Sequence, residues 1–403
     1  MKITRKKFNH HDLDLVILAG GRGSRISKFL GNLPKPMLKF NKKSFLKYLI
    51  QNFSKYPFRK ILILTGYKYQ SIHKEFNNKV FNFTPVQCIK EKRLMGTGGA
   101  LLGIKKKILK HFILINGDTI FDINPFDLVN LVKSKNIGAM ALVKNKSQNS
   151  KKLNLLNIIN KKISISKKGK LMNGGIYYFK KSIFNFLKNE KHSLENDVLP
   201  QLIKLKKVNG KRFDNFFLDI GTPKYYQISA KSLKKYFQKP VAFLDRDGVI
   251  NYDNPGGYVY NTNDFIFRKN VIEGLKYLYK KNYYIFIVTN QAGIGKKIYS
   301  INDFNKLHLD LKFFLAFKNI FLHDVKYSPY HIKAKIKKYR KNSGYRKPGN
   351  LMIKDLIKEW DVNLKKSFMI GDKITDYFAA KKSGLQFYYA EEDFLKQIKK
   401  ILN

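Results

Sequence analysis

The chain has 403 residues, enough for two or three domains, and its 44% hydrophobic content supports ordinary buried cores. Lys and Arg number 80 against 28 acidic residues, but they are spread over both halves without a nucleic-acid-binding motif. The excess therefore reads as composition whose positive field favours anionic substrates, and no nucleic-acid partner is expected. Cys88 is the single cysteine, which excludes an internal disulfide and a cysteine-based zinc cluster. No apolar run approaches the ~18 residues of a membrane span, and the basic N-terminus is not followed by a signal-type apolar core. A cytoplasmic location is expected, and the oligomeric state and domain orientation stay open.

In chain order, Leu13–Leu18 is a short apolar strand, followed by Gly20-Gly-Arg-Gly-Ser-Arg25 and Leu33-Pro-Lys-Pro-Met37. Ser44–Ser54 has helical spacing of Phe45, Leu46, Leu49, Ile50 and Phe53. Lys60–Thr65, Phe112–Ile115, Ala139–Val143, Gly174–Phe179 and Phe216–Ile220 read as further strands, and Gln148–Lys170 as a variable loop or weak hairpin. Strand–helix alternation of this kind predicts a mostly parallel sheet covered by helices. A helix over Lys224–Phe237 leads to a joint at Gln238-Lys-Pro240, so the domains are expected at 1–237 and 238–403. Val241–Leu244, Tyr284–Val288 and Phe368–Ile370 repeat the α/β logic, each followed by polar residues.

Gly20, Gly21 and Gly23 after a strand let backbone N–H groups approach phosphates, although any α/β fold has such turns. Arg25 and Lys35 nearby can neutralise a triphosphate, and Pro34 and Pro36 stiffen the segment. Gly96-Thr-Gly-Gly99 reads as a second glycine loop, with Gly96 and Gly98 suited to lie against a flat base. Asp118 and Asp219 each end a strand, and two carboxylates on neighbouring strand ends can hold Mg²⁺ over a reacting phosphate. Taken in order, these motifs over residues 13–235 resemble the sugar-1-phosphate nucleotidylyltransferase family. The resemblance implies a Rossmann-like sheet in which Arg25 and Lys35 polarise the phosphates and Asp118 and Asp219 hold Mg²⁺. It also puts Asn173-Gly174-Gly175 at the sugar. A Glu-Lys pair usual in that family before this segment is missing, Ile163-Ser-Ile-Ser-Lys-Lys168 standing there instead.

Asp245 and Asp247 follow the strand Val241–Leu244 one residue apart, so both side chains project from its end. Converging carboxylates call for a cation or a shared proton. Thr289-Asn290, Arg346-Lys347-Pro348 and Gly371-Asp372 come next in order. A carboxylate can attack phosphorus, a second can carry the proton, and a hydroxyl and an ammonium can hold the phosphoryl oxygens. This order resembles the haloacid dehalogenase (HAD) superfamily over about 240–390, in the branch of heptose bisphosphate and histidinol phosphatases. The resemblance implies a second Rossmann-like sheet with Asp245 as nucleophile and Asp247 as acid/base. Thr289, Asn290, Arg346 and Lys347 would bind phosphate. Asp245, Asp372 and the backbone carbonyl of Asp247 would hold Mg²⁺. Asp376 reads either as orienting Lys373 or as a solvated helix-start cap, the latter preferred. That branch often carries a zinc loop, but Ser328-Pro-Tyr330 and Ser343-Gly-Tyr345 replace its ligands. No zinc is expected, and the loop must be held by packing.

Together the two resemblances imply a bifunctional enzyme of nucleotide-sugar synthesis. One half would free a sugar 1-phosphate from a heptose bisphosphate, and the other would join it to a nucleotide, with GTP favoured. Three alternatives remain. The first is mannose 1-phosphate with GTP, or heptose 1-phosphate with ATP, used with the same motifs, and the second is a histidinol-type phosphatase substrate; substrate panels separate these. The third is a basic nucleic-acid-binding protein with decayed enzyme domains, which intact carboxylates oppose.

Overall fold

The structure is a computed structural model and describes residues 3, 12–21, 23, 31–145, 155–221, 223–254 and 257–403. It divides into two compact units. One is Phe58–Lys231 with the described residues between 12 and 52; the other is Ser232–Asn403 with Ile3 and the short segment Phe53–Pro57.

The first unit contains β1 (Leu13–Ala19), β2 (Lys39–Phe40), β3 (Lys43–Ser44), β4 (Ile61–Thr65), β5 (Val80–Phe81), β6 (Thr84–Lys90) and β7 (His111–Asn116). Then come β8 (Thr119–Phe121), β9 (Gly138–Lys144), β10 (Leu156–Ile159), β11 (Lys162–Ile165), β12 (Leu171–Lys180), β13 (Val208–Arg212) and β14 (Phe217–Asp219). Ten of these form one sheet in the order β10-β11-β13-β9-β12-β7-β1-β4-β6-β5. The strands β1, β4 and β7 pair in parallel at its centre and are buried on both faces, which is why they read as unbroken apolar runs. Val16, Leu62, Leu64, Phe112, Leu114, Tyr177 and Phe179 share one core.

The expectation of a mostly parallel sheet is corrected here. Strand β12 runs antiparallel to both β7 and β9, and β10–β11 is an antiparallel hairpin, so the sheet is mixed. Direction depends on which edge the chain re-enters, and the local pattern carries no record of that. The hairpin lies in the stretch 148–170, of which residues 148–154 fall outside the described ones. A second correction concerns Gly96-Thr-Gly-Gly99, which opens a helix, Gly96–Leu102, rather than forming a loop.

The second unit has five parallel strands in the order β17-β16-β15-β18-β19, namely β15 (Val241–Leu244), β16 (Tyr284–Asn290), β17 (Asp324–Ser328), β18 (Phe368–Gly371) and β19 (Gln386–Tyr389). Val241, Phe243, Phe286, Val288 and Met369 pack with Met352, Ile353, Leu356 and Trp360 of the covering helix and its end. Since β15 lies between β16 and β18, its carboxyl end brings Asp245 beside Thr289 and Asp372. Ligands bind at this end of open α/β sheets.

Candidate active sites

In the first unit the ends of β1, β4 and β7 converge. The Gly117 amide donates to Leu18 O at 2.9 Å, and a side chain at Gly117 would strike that carbonyl, so the Asn116-Gly-Asp118 turn lies against the end of β1. Gly20 and Gly21 follow β1, and Gly23 has φ +68°, the left-handed region that favours glycine. Lys35 sits in a 3₁₀ turn begun by Pro34 and is buried, with its Nζ 2.5 Å from Asp118 Oδ2. Asp118 and Asp219 are neighbours. Thr119 pairs with Asp219 on the β8–β14 ladder, and the Ile220 amide donates to Asp118 O at 3.1 Å. Asp219 Oδ1 accepts from the Gly221 amide at 2.6 Å. Arg25 lies outside the described residues.

The register of β12 shifts between Asn173 and Tyr177, a bulge that re-aims side chains beside the site. Within it Asn173 Oδ1 accepts from the Gly175 amide at 2.9 Å, and its Nδ2 donates to Tyr177 Oη. Gly174 leaves room for the Phe121 ring, which a Cβ would meet at 2.6 Å. Gly98 is small for a protein reason: a Cβ there would lie 2.5 Å from His192 Nε2. The Gly98 amide also donates to His192 O at 3.1 Å, and Gly96 has φ +76° against the same residue. Neither glycine is thereby shown to face a base.

Glu91 was missed by sequence reasoning. It follows β6 directly, and its Oε1 stands in the space above both Gly20 and Gly66, at the ends of β1 and β4. Burial raises its carboxyl above the usual range, while a backbone bond from Met95 opposes the shift. The signal available was the strand-end logic already applied to Asp118.

In the second unit Asp245 leaves β15 with its amide donating to Ile370 O at 3.0 Å. Lys347 Nζ lies 2.9 Å from Asp245 Oδ2 and 2.6 Å from Asp376 Oδ1, and also donates to Val288 O at 2.8 Å. Asn290 holds the Lys347 backbone from both sides, accepting from its amide at 3.0 Å and donating to its carbonyl at 3.1 Å. Its side chain thus positions Lys347. Arg346 Nη1 donates to Tyr330 O at 3.3 Å. Thr289 is buried at the end of β16.

Asp245, Asp372 and Asp376 each offer an oxygen within 4.8 Å of the others. The solvated reading of Asp376 is corrected: it caps its helix through the Lys373 amide at 3.0 Å, but it is fully buried and faces Lys347. Asp247 contributes no carboxylate oxygen to this trio, which leaves only its backbone carbonyl for a metal. Three carboxylates face two ammonium groups, Lys347 and, 3.7 Å from Asp372 Oδ2, Lys373, which leaves a negative excess. Burial, against the pull of Lys347, raises Asp245, and burial, against Lys373, raises Asp372. Asp372 Oδ1 is buried with no hydrogen-bond partner among the described residues. An oxygen-only donor set with an orphaned carboxylate oxygen fits a hard divalent cation. Burial pushes the Asp247 carboxyl up, but Arg246, Asn251 and Gln291 outweigh it and hold it below the usual carboxylate range.

The segment after β17 is held by protein contacts. Tyr330 and Tyr339 meet edge to face at 5.6 Å, and Arg340 Nε donates to Ala334 O at 2.7 Å.

Comparison with known proteins follows the same division. Residues 15–235 match the family Nucleotidyl transferase, and residues 240–398 match Polynucleotide kinase 3 phosphatase. A D-glycero-beta-D-manno-heptose-1,7-bisphosphate 7-phosphatase of Rhodopseudomonas palustris is 37% identical over 40% of this chain and 91% of its own length. A D-glycero-alpha-D-manno-heptose 1-phosphate guanylyltransferase of Campylobacter jejuni is 33% identical over 53% of this chain and 97% of its own. A crystal structure of HddC from Yersinia pseudotuberculosis aligns with 28% identity and a TM-score of 0.47, covering 55% of this chain and 99% of that one. No helix among the described residues is long and apolar enough to cross a membrane. The chain belongs to the nucleotidyl transferase family, is similar there to heptose 1-phosphate guanylyltransferases, and carries in the same polypeptide a HAD-like phosphatase domain similar to heptose bisphosphate phosphatases.

Proposed function

We propose that this chain makes GDP-heptose from D-glycero-D-manno-heptose 1,7-bisphosphate in two steps, removing the 7-phosphate and then transferring GMP from GTP to heptose 1-phosphate. The observation that carries the reading is the presence of two carboxylate–lysine centres in one chain, Asp118 and Asp219 with Lys35, and Asp245, Asp372 and Asp376 with Lys347. By name, the relatives of the two parts act on a heptose 1,7-bisphosphate of β configuration and on a heptose 1-phosphate of α configuration.

In the phosphatase centre an Asp245 oxygen attacks phosphorus as the bond to the sugar oxygen breaks, and Asp247, which must first take up a proton against the pull of Arg246, Asn251 and Gln291, passes that proton to the leaving oxygen. Water then attacks the aspartyl phosphate, Asp247 takes its proton, and inorganic phosphate leaves. Lys347 and Thr289 hold phosphoryl oxygens as charge spreads. Mg²⁺ held by Asp245, Asp372 and the Asp247 carbonyl, with Asp376 beside them, would neutralise phosphate charge. In the transfer centre an oxygen of the sugar 1-phosphate displaces pyrophosphate from the α-phosphorus of GTP. Lys35 and Arg25 draw charge from the triphosphate, and Asp118 and Asp219 would hold the metal. Asn173 and Gly174 would meet the sugar, and Gly20, Gly21, Gly23, Gly96 and Gly98 the nucleotide.

Glu91 supports guanine. A carboxylate can accept from both N1–H and the exocyclic amine of guanine, whereas adenine offers its amine beside an N1 acceptor and uracil a single N3–H between carbonyl oxygens. The test is mass spectrometry of products from heptose 1,7-bisphosphate incubated with Mg²⁺ and all four nucleoside triphosphates. GDP-heptose with both phosphate and pyrophosphate is expected. Release of phosphate without any nucleotide sugar would overturn the joint reading.

A further inference from the structure

The Asp247 carboxylate is held by more groups than Arg246 alone. Arg246 Nε and Nη2 reach Oδ1 at 3.1 and 2.9 Å, and Nη2 reaches Oδ2 at 2.9 Å. Asn251 Nδ2 donates to Oδ1 at 2.9 Å, and Gln291 Nε2 donates to Oδ2 at 2.9 Å. The same Gln291 nitrogen donates to Thr289 Oγ1 at 2.9 Å. One amide therefore ties the acid/base carboxylate to the hydroxyl beside the phosphoryl oxygens.

An amide can turn over and offer its oxygen instead, which would face the carboxylate with a second acceptor. The Asp247 carboxylate, which only accepts, disfavours this, and Tyr299 holds the other end of the amide, its hydroxyl donating to Gln291 Oε1. The Tyr299 ring is itself fixed. It is buried and stacks on Tyr260 at 5.1 Å with the planes 4° apart. Gly293, two residues after Gln291, is small because a Cβ there would lie 2.9 Å from Tyr299 Cδ1. Hence Gly293 admits the ring, the ring's hydroxyl fixes the amide, and the amide fixes two reacting-side groups.

We propose that Gln291, locked by Tyr299, is a positioning residue that holds Asp247 and Thr289 in register for phosphoester cleavage. This rests on the reading of Asp247 as proton carrier. Positioning of this kind matters most when the leaving oxygen needs its proton as the bond breaks. A sugar alkoxide does; 4-nitrophenolate leaves without one.

The experiment uses the full-length chain and measures single-turnover release of alcohol from heptose 1,7-bisphosphate and from 4-nitrophenyl phosphate. Variants are Tyr299→Phe, which keeps the ring, and Gln291→Met, which keeps the bulk. Each should slow the sugar substrate by about tenfold with KM nearly unchanged, and the aryl substrate by less than about threefold. Activity on the aryl phosphate also shows that the site is folded. Equal loss on both substrates, or no loss on either, overturns the proposal. Asp247→Asn serves as reference. If it discriminates between the substrates while Tyr299→Phe and Gln291→Met do not, only the positioning role falls. If Asp247→Asn does not discriminate, the proton-carrier reading falls and takes the proposal with it.

Discussion

Gly248 offers a direct test of the proposed Mg²⁺ site at Asp245, Asp372 and Asp376. It has φ +82°, where an L side chain costs about 1–2 kcal/mol. A methyl carbon there would also lie 2.5 Å from Asp372 Cγ. Carbon–carbon contact is comfortable near ~3.5 Å, so in Gly248→Ala the Asp372 carboxyl must retreat by about 1 Å. Magnesium tolerates little departure from its ~2.1 Å ligand distance, so such a retreat loosens or removes one ligand. The Mg²⁺ concentration for half-maximal phosphate release should rise about 10–100-fold, the range seen when support of a metal ligand is lost. Backbone strain alone should lower the melting temperature of this unit by roughly 2–8 °C. The assay is phosphate release across a Mg²⁺ titration, with pyrophosphate release by the same preparation as internal control. A lowered melting temperature with an unchanged Mg²⁺ requirement would show that Asp372 does not hold the ion.

Glu91→Gln swaps one acceptor for a donor, and kcat/KM for GTP should fall about 10-fold or more relative to UTP; an unchanged ratio in a competition assay removes Glu91 from base selection. Asp245→Asn should abolish phosphate release while nucleotide transfer persists, and Asp118→Ala should do the reverse; loss of both activities in either variant would show that the centres are not independent. His308 gives a pH signature. Burial first, then Arg246, pushes its imidazole from 6.5 down to about 3. A folded value below the unfolded one means that stability is complete above pH 6.5 and lost as pH falls toward 3. The loss should be at most about 5 kcal/mol. Urea midpoints from pH 7 to pH 4 should fall less steeply in His308→Met; parallel curves would refute the linkage.

What the sequence made readable was whatever depends on neighbours along the chain. Asp245 and Asp372 follow apolar strands, and the structure brings them within reach of one another. The strands β6 and β13 escaped notice because Thr84–Lys90 alternates buried with partly exposed residues and Val208–Arg212 is mostly polar. Asp376 looked solvated because a polar residue at a helix start ordinarily is, whereas here Lys347, remote in sequence, closes over it. Gly98 also answers a demand not visible in the sequence, since the His192 ring leaves no room for a Cβ there. Glu91 gave only a lone acid after a weakly patterned strand. In each case the missing information was a long-range contact, which local periodicity does not encode.

The short β8–β14 ladder has a consequence for how the transfer centre comes into being. Its three residue pairs bring Asp219 alongside Asp118 from the far end of the first unit. During synthesis, a nascent chain that already displays the glycine turns and Lys35 still lacks half of its acidic pair until the last strand of the sheet's satellite ribbon has emerged. Translation that stops early therefore yields a product without this acidic pair, so on the proposed reading competence for diphosphate formation is tied to completion of the unit.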